Sequence, residues 1–89
     1  MSRRNVEREI VIRSWELGLV LFEPLSMDAL HLLEEYHETH PSGSGQLLDE
    51  GFVVDLQDAR LVVDVLEENH FEYAIHAADQ DDLTESLNI

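Results

Sequence analysis

The pattern of apolar and polar positions in the first half of the chain predicts two strands followed by a helix. Residues 9–13 are rich in β-branched side chains and residues 17–22 form a continuous apolar run, so each is typical of a short strand. Pro24 ends the second strand. Ser26 is placed to cap a helix whose apolar residues recur at helical spacing as far as Thr39.

The second half of the chain repeats this order after a loop. The sequence Pro-Ser-Gly-Ser-Gly at residues 41–45 carries the clearest loop signal in the chain. Beyond it the pattern predicts a short strand, an apolar strand, a helix and a strand with one buried face. Asp55 or Asp58 can cap this helix, and Asn69, which tolerates the left-handed conformation, can end it. The predicted strands are 46–50, 52–55 and 71–77.

A shift of 33 positions brings the two halves into register. Two glycines and two Leu-Glu-Glu segments coincide in this register: Gly18 with Gly51, and residues 33–35 with residues 66–68. His37 falls on His70, and we interpret both as residues of a last helical turn, where an imidazole lies near the negative end of the helix dipole. Both halves therefore have the order strand, helix, strand.

This element order resembles the ferredoxin-like superfold over about residues 9–77. In that arrangement the order is β-α-β-β-α-β, with both helices on one face of an antiparallel sheet and right-handed connections. The strand at 9–13 is additional, and we expect it either to form a hairpin with residues 17–22 or to lie at a sheet edge. The alternative is a ubiquitin-like β-grasp roll, in which such a hairpin precedes the first helix. The resemblance implies no function, because only the pattern of elements carries it.

The length of 89 residues and the apolar content of 44% predict a single folded α+β domain. We expect residues 1–7 to be a mobile basic arm, residues 8–78 to form the domain, and residues 79–89 to be an acidic C-terminal tail, either loosely ordered or a short amphipathic helix. The chain has no Cys, which excludes disulfides and thiolate sites and fits a reducing compartment. No apolar stretch is long enough to span a membrane, so we expect a cytoplasmic protein.

Acidic residues dominate the charge of the chain. Twenty Asp and Glu against five Arg give a formal net charge of −15. Four of the arginines lie in the first thirteen residues, and residues 14–89 hold eighteen of the acids with Arg60 as their one arginine. Such a surface repels nucleic acid and anionic membranes, and it attracts basic proteins and cations. Solubility or a saline habitat would favour the same composition.

Catalytic and cofactor sites find little support in the sequence. No Gly-x-Ser-x-Gly nucleophile elbow and no phosphate-binding loop occur, and adjacent acids on exposed helix faces do not imply a cleft. We therefore expect neither an enzyme nor a cofactor. His37 and His40 are one helical turn apart and are the candidates for a metal site, since imidazole with neighbouring carboxylates suits zinc or nickel. Their spacing is not that of the His-Glu-x-x-His motif.

The charge pattern favours binding to the basic surface of another protein, with no direct contact to nucleic acid or membrane. We expect six carboxylates on the solvent sides of the two helices, and Trp15 as either an interface anchor or a residue that closes one end of the core. The six are Glu34, Glu35, Glu38, Asp64, Glu67 and Glu68. Such a row suits an inhibitor that mimics nucleic acid, or an immunity or antitoxin protein for a basic toxin.

Two other classes stay open at this point. A ligand- or metal-responsive regulatory module would use the paired β-α-β halves, and an accessory subunit of a larger complex would use exposed strand edges. Leu83 and Leu87, together with these edges, would support a homodimer.

Overall fold

A computed structural model describes residues 9–16, 18–41 and 43–89, so the basic arm predicted for residues 1–7 lies outside the described residues. The strands are β1 (Ile10–Ser14), β2 (Leu19–Pro24), β3 (Gln46–Leu48), β4 (Gly51–Asp55) and β5 (Tyr73–Ile75). The helices are α1 (Met27–Thr39), α2 (Leu56–Glu68) and α3 (Gln80–Leu87), the last preceded by a 3-10 turn (Ala77–Asp79). None of the helices within these ranges has the length and apolar character needed to cross a membrane.

The strands form one mixed sheet in the order β3-β4-β2-β1-β5. The hairpin expected for the additional strand is confirmed, and the edge position is wrong, because β1 lies between β2 and β5. Neighbouring strands are antiparallel except β1 and β5, so the expectation of a fully antiparallel sheet is also wrong. Since β1 occupies the place beside β2, the chain returning from α2 reaches only the outer side of β1. The α+β class is confirmed, whereas the ferredoxin-like strand order is not.

One face of the sheet packs against all three helices and forms the core. Phe22 and Phe52 lie at its centre as direct cross-strand partners, and burial of each stabilises the fold by about 1.5–3 kcal/mol. No polar or charged residue of the described chain is buried. The other core residues are Ile10, Ile12, Val20, Ala29, Leu33, Val54, Ala59, Val62, Val63, Leu66, Leu83 and Leu87.

The C-terminal segment forms the helix that was one of its two predicted alternatives. Leu83 and Leu87 of α3 are 4% and 1% exposed, so the two residues considered for oligomer contacts are buried in the core of their own chain. The Arg60 guanidinium donates hydrogen bonds to the carbonyl oxygens of Leu87 (3.1 Å) and Asn88 (3.3 Å). These bonds satisfy carbonyl groups that the end of a helix otherwise leaves unpaired.

The helix ends follow local capping rules, but the left-handed residue at the end of α2 is not the one that the sequence predicted. The Ser26 hydroxyl accepts the Ala29 N–H at 3.1 Å, which confirms Ser26 as the N-cap of α1. At the end of α2, Asn69 keeps a negative φ of −98°, and the left-handed residue is His70 with φ 63°. The Phe71 N–H reaches the Leu66 carbonyl oxygen at 2.9 Å, as in a Schellman motif.

The two halves of the sequence repeat, but their helices do not begin and end at equivalent positions. Both helices have 13 residues, but α2 begins directly after β4, whereas two residues separate β2 from α1. Consequently His37 lies in the last turn of α1, while His70 lies beyond α2. The interpretation of His37 and His70 as equivalent last-turn residues is wrong for this reason. Leu33 and Leu66 nevertheless both face the core.

Gly18 and Gly51 both have positive φ, at 80° and 148°, but only Gly51 is enclosed. A Cβ at Gly51 would strike the Phe22 carbonyl oxygen, whereas a Cβ at Gly18 would meet nothing within 4 Å. We expect Gly18→Ala to lower the free energy of unfolding by about 1–2 kcal/mol through backbone strain alone. Gly51→Ala should lower the free energy of unfolding, measured by urea denaturation, by clearly more than Gly18→Ala does. Equal losses of stability in the two variants would contradict the enclosed position of Gly51.

Candidate functional site

A groove lies between α1 and α2 on the helical side of the molecule. The two helices run antiparallel, because they follow the antiparallel strands β2 and β4. The groove has a volume of about 200 Å³, and Leu32, Tyr36 and Val65 supply its apolar and aromatic surface. We call it the interhelical groove; its residues are Leu32, Glu35, Tyr36, Thr39, His40, Val65 and Asn69.

Four of the six predicted carboxylates are exposed and form neither an ion pair nor a side-chain hydrogen bond with another described residue; these are Glu34, Glu35, Glu38 and Glu68. Glu35 lines the interhelical groove, and Glu68 lies three residues after Val65, on the same side of α2. Glu35 is therefore the carboxylate that lines the groove, and Glu68 lies beside the groove at the end of α2 without lining it. The structure also places Glu34 and Glu38 one turn apart on α1.

The other two predicted carboxylates already have partners within the chain. Asp64 forms an ion pair with Arg60 one turn earlier in α2, at 3.2 Å. Glu67 accepts a hydrogen bond of 2.7 Å from the Tyr73 hydroxyl, which ties the end of α2 to β5. Burial, and then this hydrogen bond, raise the pKa of Tyr73 to about 12. Asp64 and Glu67 are thus committed to intramolecular contacts.

The two histidines proposed as metal ligands both contact aromatic rings. His40 stacks on Tyr36 with ring centroids 4.0 Å apart, and its Nδ1 donates to the Tyr36 carbonyl oxygen at 2.9 Å. His37 lies edge-on to Phe52, with centroids 5.8 Å apart. Among the described residues no three His, Cys, Asp or Glu gather where they could hold a metal ion. A site of these two histidines stays a prediction.

A second space lies where the loop after α1 meets the start of α2. It has a volume of about 100 Å³, and Tyr36 and His40 line it as well as the groove. Asp58 is its carboxylate, and Phe52 lies edge-on to Tyr36 with ring centroids 5.9 Å apart. We call it the Asp58 cavity; its residues are Tyr36, His40, Gly43, Ser44, Gly45, Phe52, Val54, Asp58 and Leu61.

Ser44 connects this loop to the first turn of α2. Its hydroxyl accepts the Asp55 N–H at 2.9 Å and donates to Asp58 Oδ2 at 2.7 Å, and its own N–H donates to the same oxygen at 3.3 Å. Asp55 is the N-cap of α2 but makes no side-chain capping bond. The hydroxyl of a distant loop residue therefore completes a link between the cap position and Asp58 that a capping box makes directly.

Comparison with known proteins assigns the chain to no family. No family model, no curated protein and no solved structure matches it. The chemistry of the site therefore rests on its own side chains and the charges around them.

Trp15 lies away from the interhelical groove. It follows β1, is half-buried, and lines a separate cleft of about 280 Å³ together with Leu56, Leu83 and Ser86. A role of Trp15 as an interface anchor stays a prediction. Trp15 is not among the residues packed against the core cluster, so a role in closing one end of the core also stays a prediction.

Sequence reasoning did not single out Tyr36, Ser44, Phe52 and Asp58 as a group. The spacing of Tyr36 and His40, four residues apart on one helix face, was a usable signal for a stacked pair. The link from Ser44 to Asp58 spans fourteen residues and has no local signature.

Replacement of Ser44 should test the link to α2. We expect Ser44→Ala to lower the free energy of unfolding by about 1–2 kcal/mol, because it removes a capping contact and leaves the Asp55 N–H without its acceptor. Ser86→Ala is the matched control, since Ser86 is exposed on α3. Thermal unfolding that is equally affected by both changes would argue against the link.

The contact between Tyr73 and Glu67 predicts a loss of stability at alkaline pH. The pKa of Tyr73 is about 12 in the fold against 10.0 for an ordinary tyrosine. The stabilisation of the fold that comes with this shift is therefore fully present below about pH 10. It is lost as the pH rises towards 12, because the unfolded chain releases the proton first. The chain has no Lys to titrate in this range. We expect Tyr73→Phe to reduce the fall in the free energy of unfolding between about pH 10 and 12, measured by urea denaturation. An unchanged dependence on pH would contradict the raised pKa of Tyr73.

Proposed function

We propose that this chain is a non-enzymatic binding protein that holds a basic segment of a partner protein along the interhelical groove. The observation that carries the proposal is the exposed carboxylate of Glu35 in a groove with aromatic and apolar walls, on a helix that also exposes Glu34 and Glu38. Apolar walls contribute affinity by burying surface, and the surrounding acids select for a basic partner and speed its approach.

The cations of the described residues do not neutralise this groove. Arg13 forms an ion pair with Glu23 at 3.1 Å, and Arg60 pairs with Asp64 at 3.2 Å. Both arginines are thus engaged with acids that do not line the groove. Glu34, Glu35 and Glu38 consequently present their charges to solvent. In a chain of net charge −15, this leaves a strongly negative surface along α1.

The same surface supports two more specific forms of the proposal. Carboxylates spaced along a helix can imitate the phosphates of nucleic acid, which would make the protein an inhibitor of a nucleic-acid-binding enzyme. They can equally complement the basic surface of a toxin, which would make it an immunity or antitoxin protein. In both forms the partner is a basic protein that is held mainly by charge and by contacts with the groove.

The scaffold itself is interpreted here as a ferredoxin-like arrangement with one inserted strand. β2 and β3 are joined by α1 and flank β4, and both are antiparallel to it, as in a split β-α-β unit. β4 and β5 are joined by α2 but are separated by two strands, because β1 is inserted beside β2. This interpretation explains why both crossover helices lie side by side and create the groove.

Two variants of equal charge separate an oriented binding surface from general acidity. The first combines Glu34→Gln, Glu35→Gln and Glu38→Gln on α1; the control combines Asp81→Asn, Asp82→Asn and Glu85→Gln on α3, all exposed. We expect the α1 variant to weaken binding of a labelled oligoarginine peptide at low salt by about tenfold, at ~0.5 kcal/mol for each exposed pair. The control should change binding by less than about threefold.

Added salt should weaken oligoarginine binding to the unmodified chain in the same fluorescence anisotropy assay. Equal losses of oligoarginine affinity in the two variants would show that binding depends on the net charge and not on the acids of α1, as expected if the acidity serves solubility or a saline habitat. Absence of salt-sensitive binding would remove the proposal.

A further inference from the structure

The Asp58 cavity combines aromatic walls with one carboxylate. Tyr36 and Phe52 stand at 71° to each other, and His40 stacks on Tyr36 at 15°. Val54 and Leu61 complete an apolar lining. Aromatic faces carry negative potential and attract cations, with the strongest effect where water is partly excluded. A cavity of this composition suits a cation with a flat apolar surface better than it suits an anion or a strongly hydrated ion.

The carboxylate of Asp58 is held in place and its charge reaches the cavity. Ser44 donates two hydrogen bonds to Oδ2, which fixes the orientation of the carboxylate. Burial, and then the negative charge of Asp58, raise the pKa of Tyr36, so the field of Asp58 acts on the cavity wall. The same field would stabilise a cation placed beside Tyr36.

We propose that the Asp58 cavity binds the guanidinium group of an arginine side chain. The planar guanidinium is weakly hydrated, stacks on aromatic rings and donates paired hydrogen bonds to carboxylates, whereas an ammonium group is compact and strongly hydrated. The cavity volume of about 100 Å³ is the room of roughly three water molecules at ~30 Å³ each, which suits a group of this size.

The inference deepens the proposed function and rests on it for the source of the arginine. Tyr36 and His40 line both the cavity and the interhelical groove, so a basic segment lying in the groove can place one side chain in the cavity. The backbone of Gly45 packs directly on the ring of Phe52, since a Cβ at Gly45 would strike that ring. The arginine of a partner would therefore be the residue that fixes its register in the groove.

Titration of the full chain with N-acetyl-arginine amide, followed by amide NMR, tests the cavity without any partner protein. We expect millimolar binding that shifts the signals of Ser44 and Gly45, and affinity for the lysine analogue that is weaker by about tenfold. Asp58→Asn should weaken arginine binding by about tenfold or more. Asp64→Asn is the matched control, because it removes the same charge from the same helix outside the cavity, and it should change binding less than about twofold.

A second variant tests the cavity independently, so that a folding defect in Asp58→Asn does not decide the outcome. Leu61 is 53% exposed at the cavity, so Leu61→Trp can block it while leaving the bonds of Ser44 and Asp58 intact. We expect the folded Leu61→Trp protein to lose the arginine shifts. Retained shifts would overturn the assignment, as would equal binding of the lysine analogue or equal effects of Asp58→Asn and Asp64→Asn.

The oligoarginine assay separates this inference from the proposed function. Oligoarginine binding that depends on the α1 acids, with no arginine shifts at Ser44 and Gly45, would overturn the cavity and retain the groove. Arginine shifts that depend on Asp58, with oligoarginine binding that is unchanged by loss of the α1 acids, would support the cavity and overturn the groove.

Discussion

The packing of Phe52 is the contact on which both the core and the candidate site depend. In the sheet it pairs with Phe22, and both rings are excluded from water. Its ring also lies against Tyr36 and His37 of α1 and against the backbone of Gly45. The same side chain therefore completes the core and forms a wall of the Asp58 cavity. A residue so buried moves little, so the aromatic part of the site is shaped before any ligand arrives.

The acidic residues of the described chain lie on the surface because the core excludes charged side chains. No polar or charged residue of the described chain is buried, so the carboxylates must be distributed over the surface. Some are used inside the chain: Asp58 holds Ser44, Asp64 pairs with Arg60, and Glu67 accepts the Tyr73 hydroxyl. Others, among them Glu34, Glu35 and Glu38 of α1, are exposed, and Glu35 lines the groove between α1 and α2. Asp64 and Glu67 thus contact residues of their own chain outside the cavity, whereas Asp58 both holds Ser44 and lines the cavity.

Most of the elements could be predicted from local patterns. Ser26 capped its helix as expected, and periodicity identified the core faces of both helices and of the central strands. Met27 and Leu61, which the same pattern included, are instead 64% and 53% exposed. The pairing of β1 with β5 could not be predicted, since it depends on which strand edge remains free after the hairpin forms. The end of α2 at Asn69 was predicted, but the left-handed residue is His70, because the hydrogen bond from the Phe71 N–H to the Leu66 carbonyl oxygen requires that conformation one residue later.

For the candidate site, the sequence by itself determined the acids, their helical spacing and their absence from the core. These properties follow from residue type and from the 3.6-residue period of a helix. Local spacing already places Arg60 one helical turn from Asp64, whereas only the tertiary structure brings the Tyr73 hydroxyl to Glu67 and leaves Glu35 without an ion pair. It also decided that Ser44, Phe52 and Asp58 surround one cavity with Tyr36. Those residues come from a loop, a strand and two helices, and their meeting is set by how the sheet pairs and how the helices pack upon it.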